Sequence, residues 1–469
     1  PGTLARRIGA GMNGAGPGRA SGGRASGANR ARPRRIAPKP VVAEVGRLAD
    51  DGRGVARVDG KTVFVDGALP GETVRFVYCA RHRNFDEARI LEVIRAGPER
   101  VAPRCPHFDV CGGCNLQHLS PQAQLRYKQD HLLENLRRTG KVEPAEVFEP
   151  LRGPEWGYRY KARIGVRHIA GKARVLVGFR ERHSSKVADL SGCEVLARGL
   201  GARFPELATL IASLEIARRI PEIEVAVGDA EAALVFRPLA PPGEGDRARL
   251  LAFGSEHGLR IFVQPGDADT LRPLDEGTPR LHYRLPEQDV EIAFAPTDFI
   301  QVNAAMNRRL VTRVLELLAL SGSERVLDLF CGLGNFTLAA ARRAAEVTGV
   351  EGLPGLVERA RANARANGLD QARFHVADLT APDPRAAWLT TAYNRVLLDP
   401  PRSGAREVLP LIGRLGVPYL VYVSCHPATL ARDAAVLVHE LGYRLTGAGI
   451  LDMFPHTAHV ESVALFERA

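Results

Sequence analysis

Apolar residues along the chain follow two rhythms. Between residues 41 and 98 they alternate with polar ones in short runs, VVAEVGRL, GVARVDG, KTVFVDG, ETVRFVYCA and EARILEVI, cut by the turn sequences DDG, DGK and LPGE. Period-two alternation punctuated by Gly, Pro and Asp marks short, half-buried strands. Five of them in so little chain predict a small closed or nearly closed barrel of the oligonucleotide-binding type. Beyond Phe299 the rhythm changes. Short β-rich blocks (RVLDLF, EVTGV, RFHVA, RVLL, PYLVYVS) alternate with helical stretches such as GLVERARANARANG and PATLARDAAVLVHELG. That repetition predicts a mainly parallel, doubly wound sheet covered on both faces. The texture between is mixed. Ser120-Pro121 opens a helix with Leu125, Leu132, Leu133 and Leu136 on one face and Arg126, Lys128, Arg137 and Arg138 outward, and strand-like runs KARIGVRHI, ARVLVGFRER, EIEVAVG and AALVFRPL follow. The expected organisation is a tail at 1–40, a β-barrel at 41–98, a central α+β domain at 99–295 and an α/β domain at 296–469.

Charge changes this picture only at one end. The formal net charge is +11, but residues 1–40 hold nine Arg or Lys and no acid, so the tail carries most of the excess. Rich in Gly, Ala and Pro, it lacks the apolar surface to order itself and is expected to be disordered. An organelle-targeting peptide and a nucleic-acid tether both fit, the tether better; Met12 is a candidate start. No apolar run approaches the twenty residues of a membrane span, so a soluble, cytoplasmic protein is expected. The seven cysteines form no disulfide framework: three fall within CPHFDVCGGC, at Cys105, Cys111 and Cys114, and the total is odd, which fits ligand or nucleophile thiols in a reducing compartment.

In an open α/β sheet, ligands bind beyond the carboxyl ends of the strands. Each of the five predicted strands ends on a candidate: the CGLGN loop, Glu351, Asp378, Asp399 and Cys425. Gly332 and Gly334 let backbone approach a ligand, and Glu351, 23 residues after Asp328, has the spacing of a ribose-binding acid. A nicotinamide-binding fold competes, but Thr337 replaces the third glycine, and Asp378 is placed to read an adenine amino group; the set resembles a class I, Rossmann-like, S-adenosylmethionine-dependent methyltransferase. Cys425 precedes a helix opened by Pro427, where the helix N-terminus is expected to lower a thiol pKa. Glu461 interrupts an apolar strand in HVESVALF; His456 and His459 beside it read as surface or packing residues. A nucleophile paired with a proton acceptor suits methylation of uracil C5, a carbon too weakly nucleophilic until a thiolate adds at C6.

The motifs DLFCGLGNF, LLDPPRSG, VYVSCHPATLARD and HVESVALF, in this order, resemble the RNA uracil-C5 methyltransferase family. GRGVARVDGKTVFVDGALPGETV resembles a TRAM domain, an RNA-binding barrel, and CPHFDVCGGCNLQH with GFRERHSSKVADLSGC resembles the iron-sulfur segment of bacterial 23S rRNA members. The resemblance runs from about residue 42 to the end. It implies Cys425 as nucleophile, Glu461 as base, and Gln301, Phe330, Asn335, Glu351, Asp378 and Asp399 as S-adenosylmethionine-binding positions. It also implies a structural [4Fe-4S] cluster on Cys105, Cys111, Cys114 and Cys193; spacing alone leaves zinc open. RNA cytosine-C5 methyltransferases use a second cysteine where this chain has DPPR. The implied partner is 23S rRNA, at a single-stranded or loop uridine flipped from its stack, with phosphate contacts expected from the barrel, the tail and Arg159, Lys161, Arg163, Arg167, Arg180 and Arg182. No membrane and no obligate protein partner is implied. Competing readings are another RNA uridine, in rRNA or tRNA, and a non-catalytic RNA-binding assembly factor. Cys79 is expected as a core filler, Cys331 as packing, and Asn115 as ordinary variation.

Overall fold

The alternating N-terminal runs do form strands. The computed structural model describes residues 39–469 apart from 170–173, 276, 278–280 and 469, so the predicted tail, but for its last two residues, lies outside the described residues. Strands β1 (Val41–Leu48), β2 (Gly54–Val58), β3 (Lys61–Asp66), β4 (Thr73–Arg81) and β5 (Phe85–Arg95) close a barrel in the order β1-β2-β3-β5-β4. Val45, Val63, Val65, Val74, Phe76 and Ala88 fill it. Cys79, expected inside, is exposed, because it falls on the outward phase of β4 beside the outward Arg81.

Helix α1 (Pro121–Asn135) starts where Ser120 and Pro121 placed it, with the Ser120 hydroxyl accepting the Ala123 N–H at 3.3 Å. Leu132 and Leu136 bury into the core of the C-terminal sheet. Lys128, expected on the outer face, is 0 % exposed and donates to Asp452 at 2.6 Å and to the Phe454 carbonyl at 3.0 Å. The helix is covered on a second side by the loop 452–457, which a one-face pattern does not anticipate.

After the short β6 (Glu146–Val147), strands β7 (Lys161–Ile169), β8 (Arg174–Gly178), β9 (Glu222–Val227), β10 (Ala232–Phe236), β11 (Leu259–Val263) and β12 (Arg272–Pro273) form a sheet in the order β12-β11-β10-β9-β7-β8. Ile223, Val225, Leu234 and Ile261 pack with α2 (Phe204–Ser213) and α3 (Glu244–His257), while Ala226, Ala233, Val235 and Phe262 join the core of the following region. Burial on both faces explains why β9 and β10 are nearly continuous apolar runs. A hairpin, β13 (His282–Leu285) and β14 (Val290–Ala293), leads to α4 (Ala304–Leu318), capped by Asn303.

The last sheet has eight strands. Its parallel centre is β15 (Arg325–Leu329), β16 (Glu346–Glu351), β17 (Ala372–Val376), β18 (Arg395–Leu398) and β19 (Tyr419–Ser424), wrapped by α5 (Asn335–Ala341), α6 (Pro354–Ala366), α7 (Leu409–Leu415) and α8 (Pro427–His439). Strand β21 (Glu461–Arg468) runs antiparallel to both β19 and β20 (Tyr443–Leu451), β20 pairs in parallel with β6, and the order is β17-β16-β15-β18-β19-β21-β20-β6. The chain winds outward from β15 to β17 and then returns to β18 on the other side. The crevice beside β15 and β18 is therefore the topological switch point. Because β6 extends this sheet and α1 packs into its core, the central segment is not a detached globule; residues 40–469 form one compact unit. Among the described residues, no helix is long and apolar enough to cross a membrane.

Candidate active site

The cofactor rim begins where β15 ends. Phe330, a non-glycine residue, is held at φ 67°, followed by Gly332 at 54° and Gly334 at 87°. Positive φ at a bulky residue stores strain and is characteristic of functional loops. Gly332 faces open space, whereas a Cβ at Gly334 would meet Leu338 at 3.0 Å. At the end of β16 the Glu351 carboxylate accepts the Gly332 N–H at 3.2 Å and the Leu353 N–H at 3.0 Å, which fixes it beside the loop. Asp378 accepts the Thr380 N–H and hydroxyl at 2.8 and 2.6 Å through one oxygen, bonds that hold its carboxyl below the ordinary range. Leu353 and Val376, adjacent to these acids in the chain, are 59 % and 47 % exposed. Asn335 opens α5, but its side chain exchanges two 2.9 Å hydrogen bonds with Asn307 and accepts from the Tyr283 hydroxyl at 3.0 Å. Gln301, half-buried, lies between buried Ile300 and the cap of α4.

Thr337, in sequence only a departure from the glycine pattern, donates to the buried Asp328 carboxylate at 2.5 Å. Burial, with Asp399 and Glu351 nearby, pushes Asp328 up to about 7. Asp399, next after β18, is likewise raised to about 7 by burial.

Cys425 and Glu461 meet through strand register. Strand β21 pairs antiparallel with β19 up to Ser424↔Ser462, and the Ser462 hydroxyl donates to the Ser424 carbonyl at 3.0 Å. The ladder ends one residue short of Cys425 and Glu461, and the carboxylate is near enough to bear on the thiol. The thiol is not activated in the way the sequence suggested. Burial pushes it up to about 11, with Glu461 adding to the rise and Arg402 opposing it. The helix end that was to lower it is occupied: the His426 side chain caps α8, its Nδ1 accepting the Thr429 N–H at 3.3 Å. Glu461, 3 % exposed, is raised well above the usual carboxylate range by burial and by Asp399, again with Arg402 opposing.

Among the described residues Arg402 is a cation that acts on both groups, and the sequence did not single it out. Its Nη2 lies 3.1 Å from His459 Nδ1. The Pro-Pro turn that delivers it is fastened from α8 by Asp433, which accepts the Ala405 N–H at 2.8 Å and the Tyr422 hydroxyl at 2.7 Å, while Arg432 donates to the Ser403 carbonyl at 2.8 Å. Phe299, which the sequence did not single out, is 71 % exposed two residues before Gln301, a free aromatic face at the edge of the cavity lined by the cysteines.

Cys105, Cys111, Cys114 and Cys193 carry free thiols and line one cavity of about 590 Å³, shared with Phe299 and His459. Burial, reinforced by the other thiols, raises Cys111, Cys114 (to about 12) and Cys193 (to about 11). Arg182 braces the segment by donating to the Cys114 carbonyl at 2.7 Å and the Cys111 carbonyl at 3.3 Å. Gly201 is required because a Cβ there would lie 1.9 Å from the Cys193 carbonyl. No three His, Cys, Asp or Glu side chains among the described residues are gathered as ligands of a single ion.

A larger cleft of about 1200 Å³ runs between the barrel and the β7–β8 pair, lined by Arg53, Arg163, Arg167, Arg180, Arg182 and Lys186 among others. Lys161, expected among the phosphate contacts, instead pairs with buried Glu224 at 2.8 Å.

Strand order, glycine loop and acid-bearing rim define a class I methyltransferase with an added barrel. A family model for tRNA (uracil-5-)-methyltransferases matches residues 280–469, and the TRAM domain model matches residues 41–75. The 23S rRNA (uracil(1939)-C(5))-methyltransferases RlmD of Alkalilimnicola ehrlichii and Methylococcus capsulatus are 54 % and 52 % identical over 92 % of this chain and 97 % of theirs. The crystal structure of the Pyrococcus abyssi tRNA (uracil-54, C5)-methyltransferase in complex with S-adenosyl-L-homocysteine is 26 % identical, with a TM-score of 0.69, over 91 % of this chain and all of that one. The chain belongs to the RlmD family of uracil-C5 methyltransferases.

Proposed function

We propose that the chain methylates C5 of a uridine in 23S rRNA, the one numbered 1939 in the names of its relatives, with S-adenosylmethionine as methyl donor. What supports this reading is the β19–β21 ladder, which runs to within one residue of both Cys425 and Glu461, together with the influence of Glu461, Arg402 and Asp399 on the thiol. Bound along β15–β17, S-adenosylmethionine supplies an electrophilic methyl group. Glu351 would hold the ribose hydroxyls, Asp378 the adenine amino group, and Leu353 and Val376 the flat ring; Gln301, Phe330, Asn335 and Asp399 would complete the site, Asn335 through its backbone because its side chain is committed.

The target uridine leaves its stack and lies on Phe299. Cys425 gives its proton to solvent and its sulfur bonds to C6, moving the electrons of the C5–C6 double bond so that C5 becomes nucleophilic. After C5 is methylated, Glu461 takes the C5 proton, the C5–C6 double bond re-forms and the thiolate departs. Arg402 orders these events. Its guanidinium acts on both Cys425 and Glu461 and favours one anion of the two at a time, so Glu461 holds its proton while the thiolate exists. Once the methylated adduct is neutral, Glu461 gives that proton to solvent and its carboxylate takes the proton from C5.

The four cysteines of the central segment line one cavity and would hold an iron-sulfur cluster, each iron taking one thiolate, which the family resemblance favours over zinc. A [4Fe-4S] cluster there would cross-link the segments carrying Cys105–Cys114 and Cys193. RNA follows the arginine-lined cleft between barrel and β7–β8. Substituting Cys425→Ala and measuring tritium release from 5-tritiated uracil in 23S rRNA tests the reading: release from the unmutated chain, none from the variant. A non-catalytic RNA-binding factor would give none from either.

A further inference from the structure

We propose that Asn115 is a positioning residue for this chemistry, a single side chain that ties the first turn of the barrel to the loop carrying His459 and Glu461. The proposal rests on the reading of Cys425 and Glu461 given above. Sequence marks Asn115 as variation after the CGGC run, yet both ends of its amide are committed. Its Nδ2 donates to the Asp51 carbonyl at 2.7 Å, in the turn between β1 and β2. Its Oδ1 accepts the Ala458 N–H at 2.9 Å. The backbone N–H groups of Asn115 and Leu116 both donate to the His456 carbonyl, at 3.0 and 2.9 Å.

Packing closes the same junction. Gly52 has φ 84°, and a Cβ there would stand 3.1–3.3 Å from Leu116, Ala458 and Asn115. His456, a non-glycine residue at φ 66°, is buried, with its ring 4.1 Å from that of Trp156, and its N–H donates to Gln124 Oε1 at 2.9 Å. A left-handed histidine persists only where its surroundings over-determine it; here the surroundings are Asn115, Leu116 and Gln124. Ala458 precedes His459, which meets Arg402, and lies three residues before Glu461. Where the base stands relative to the thiol therefore depends on a bond made by the cysteine segment.

The two ends of the amide do separable work. The acceptor end holds the catalytic loop, and the donor end holds the barrel and with it the RNA. Among side chains of this size only Asn offers a donor and an acceptor side by side. Asn115→Asp keeps the acceptor and loses the donor, whereas Asn115→Ala loses both. The test uses the full chain purified without air and reads four quantities: KM for rRNA, single-turnover tritium release, the rate of adduct formation with 5-fluorouridine RNA, and melting temperature. N115D is expected to raise KM at least fivefold with tritium release within threefold of the unmutated chain. N115A is expected to show the same rise in KM, with tritium release slowed at least tenfold and adduct formation within threefold. Unchanged release in N115A overturns the proposal, as does a parallel fall of adduct and release in both variants alongside the melting temperature. Should N115A not fold, N115D decides: a release defect as large as its KM defect overturns the separation of the two ends. An unmutated chain that releases no tritium would instead sink the reading of Cys425 and Glu461, and this proposal with it.

Discussion

Replacing Lys128 with methionine removes the cation from a buried pair and leaves Asp452 facing an apolar stem. The pair is 2.6 Å apart, with Lys128 side-chain exposure of 0 % and Asp452 of 10 %, and Nζ also donates to the Phe454 carbonyl. Breaking such a pair from one side costs about 3–5 kcal/mol, because the remaining charge has neither water nor partner. With an unfolding entropy of about 2.1 cal/mol/K per residue, a unit of about 430 residues loses roughly 0.9 kcal/mol of stability per degree near its midpoint. K128M should therefore lower Tm by about 3–6 °C in calorimetry. The reverse change, D452N, strands the lysine, whose pKa burial already pushes down and which the carboxylate pulls back up. Without Asp452 the folded state sheds that proton at lower pH than the unfolded state does. The unfolded chain then binds more protons below about pH 10.5, so the stability of D452N should rise with pH across the alkaline range. The double variant K128M/D452L, apolar on both sides, should recover most of the loss. A K128M cost below about 1 kcal/mol, or a double variant as unstable as the two single losses added together, would refute the pair as a pin on the loop 452–457.

Phe299→Ala should lower kcat/KM for rRNA by about 5- to 150-fold, the worth of one base stacked on an aromatic ring at roughly 1–3 kcal/mol, with melting unchanged because the ring touches little protein; an undiminished kcat/KM would remove Phe299 from the substrate site. Glu324 accepts from the Ser321 hydroxyl and from the Ser321 and Gly322 N–H groups, which hold its carboxyl down at about 2. Its folded pKa lies below the unfolded value of 4.5, so the stability it contributes is complete above about pH 4.5 and is lost as pH falls toward 2. E324Q should flatten that acid limb in denaturant titrations; an unchanged limb would assign acid sensitivity elsewhere.

Much of the fold was readable because each layer buries its strands differently. Barrel strands with one wet face alternate, and the central parallel strands β18 and β19 run nearly continuously apolar, so both patterns survive in one dimension. The rim positions were readable for the same reason, since each lies at or just after a strand end. What sequence could not supply is contact across long separations. Lys128 looks like an outward helix residue until Asp452, 324 positions later, covers it. Cys425 looks activated by a helix start until His426 is seen to cap that helix and burial to raise the thiol. Arg402 sat in the quoted DPPR motif, but only the folded turn shows it facing both acid groups. Thr337 looked like a missing glycine and is the partner of Asp328. Asn115, between a cysteine and a leucine, carries no one-dimensional signal for a bond to Ala458.

The account stands on a transient carbon–sulfur bond, and trapping it is the direct measurement. A 23S rRNA fragment with 5-fluorouridine at the target position is incubated with the full chain and S-adenosylmethionine, then digested and mapped by mass spectrometry. Fluorine at C5 blocks the final proton removal, so the account predicts a methylated RNA–protein adduct on the peptide containing Cys425, lost in C425A. An adduct on any other residue, or none from a preparation that methylates the unfluorinated RNA, would contradict it.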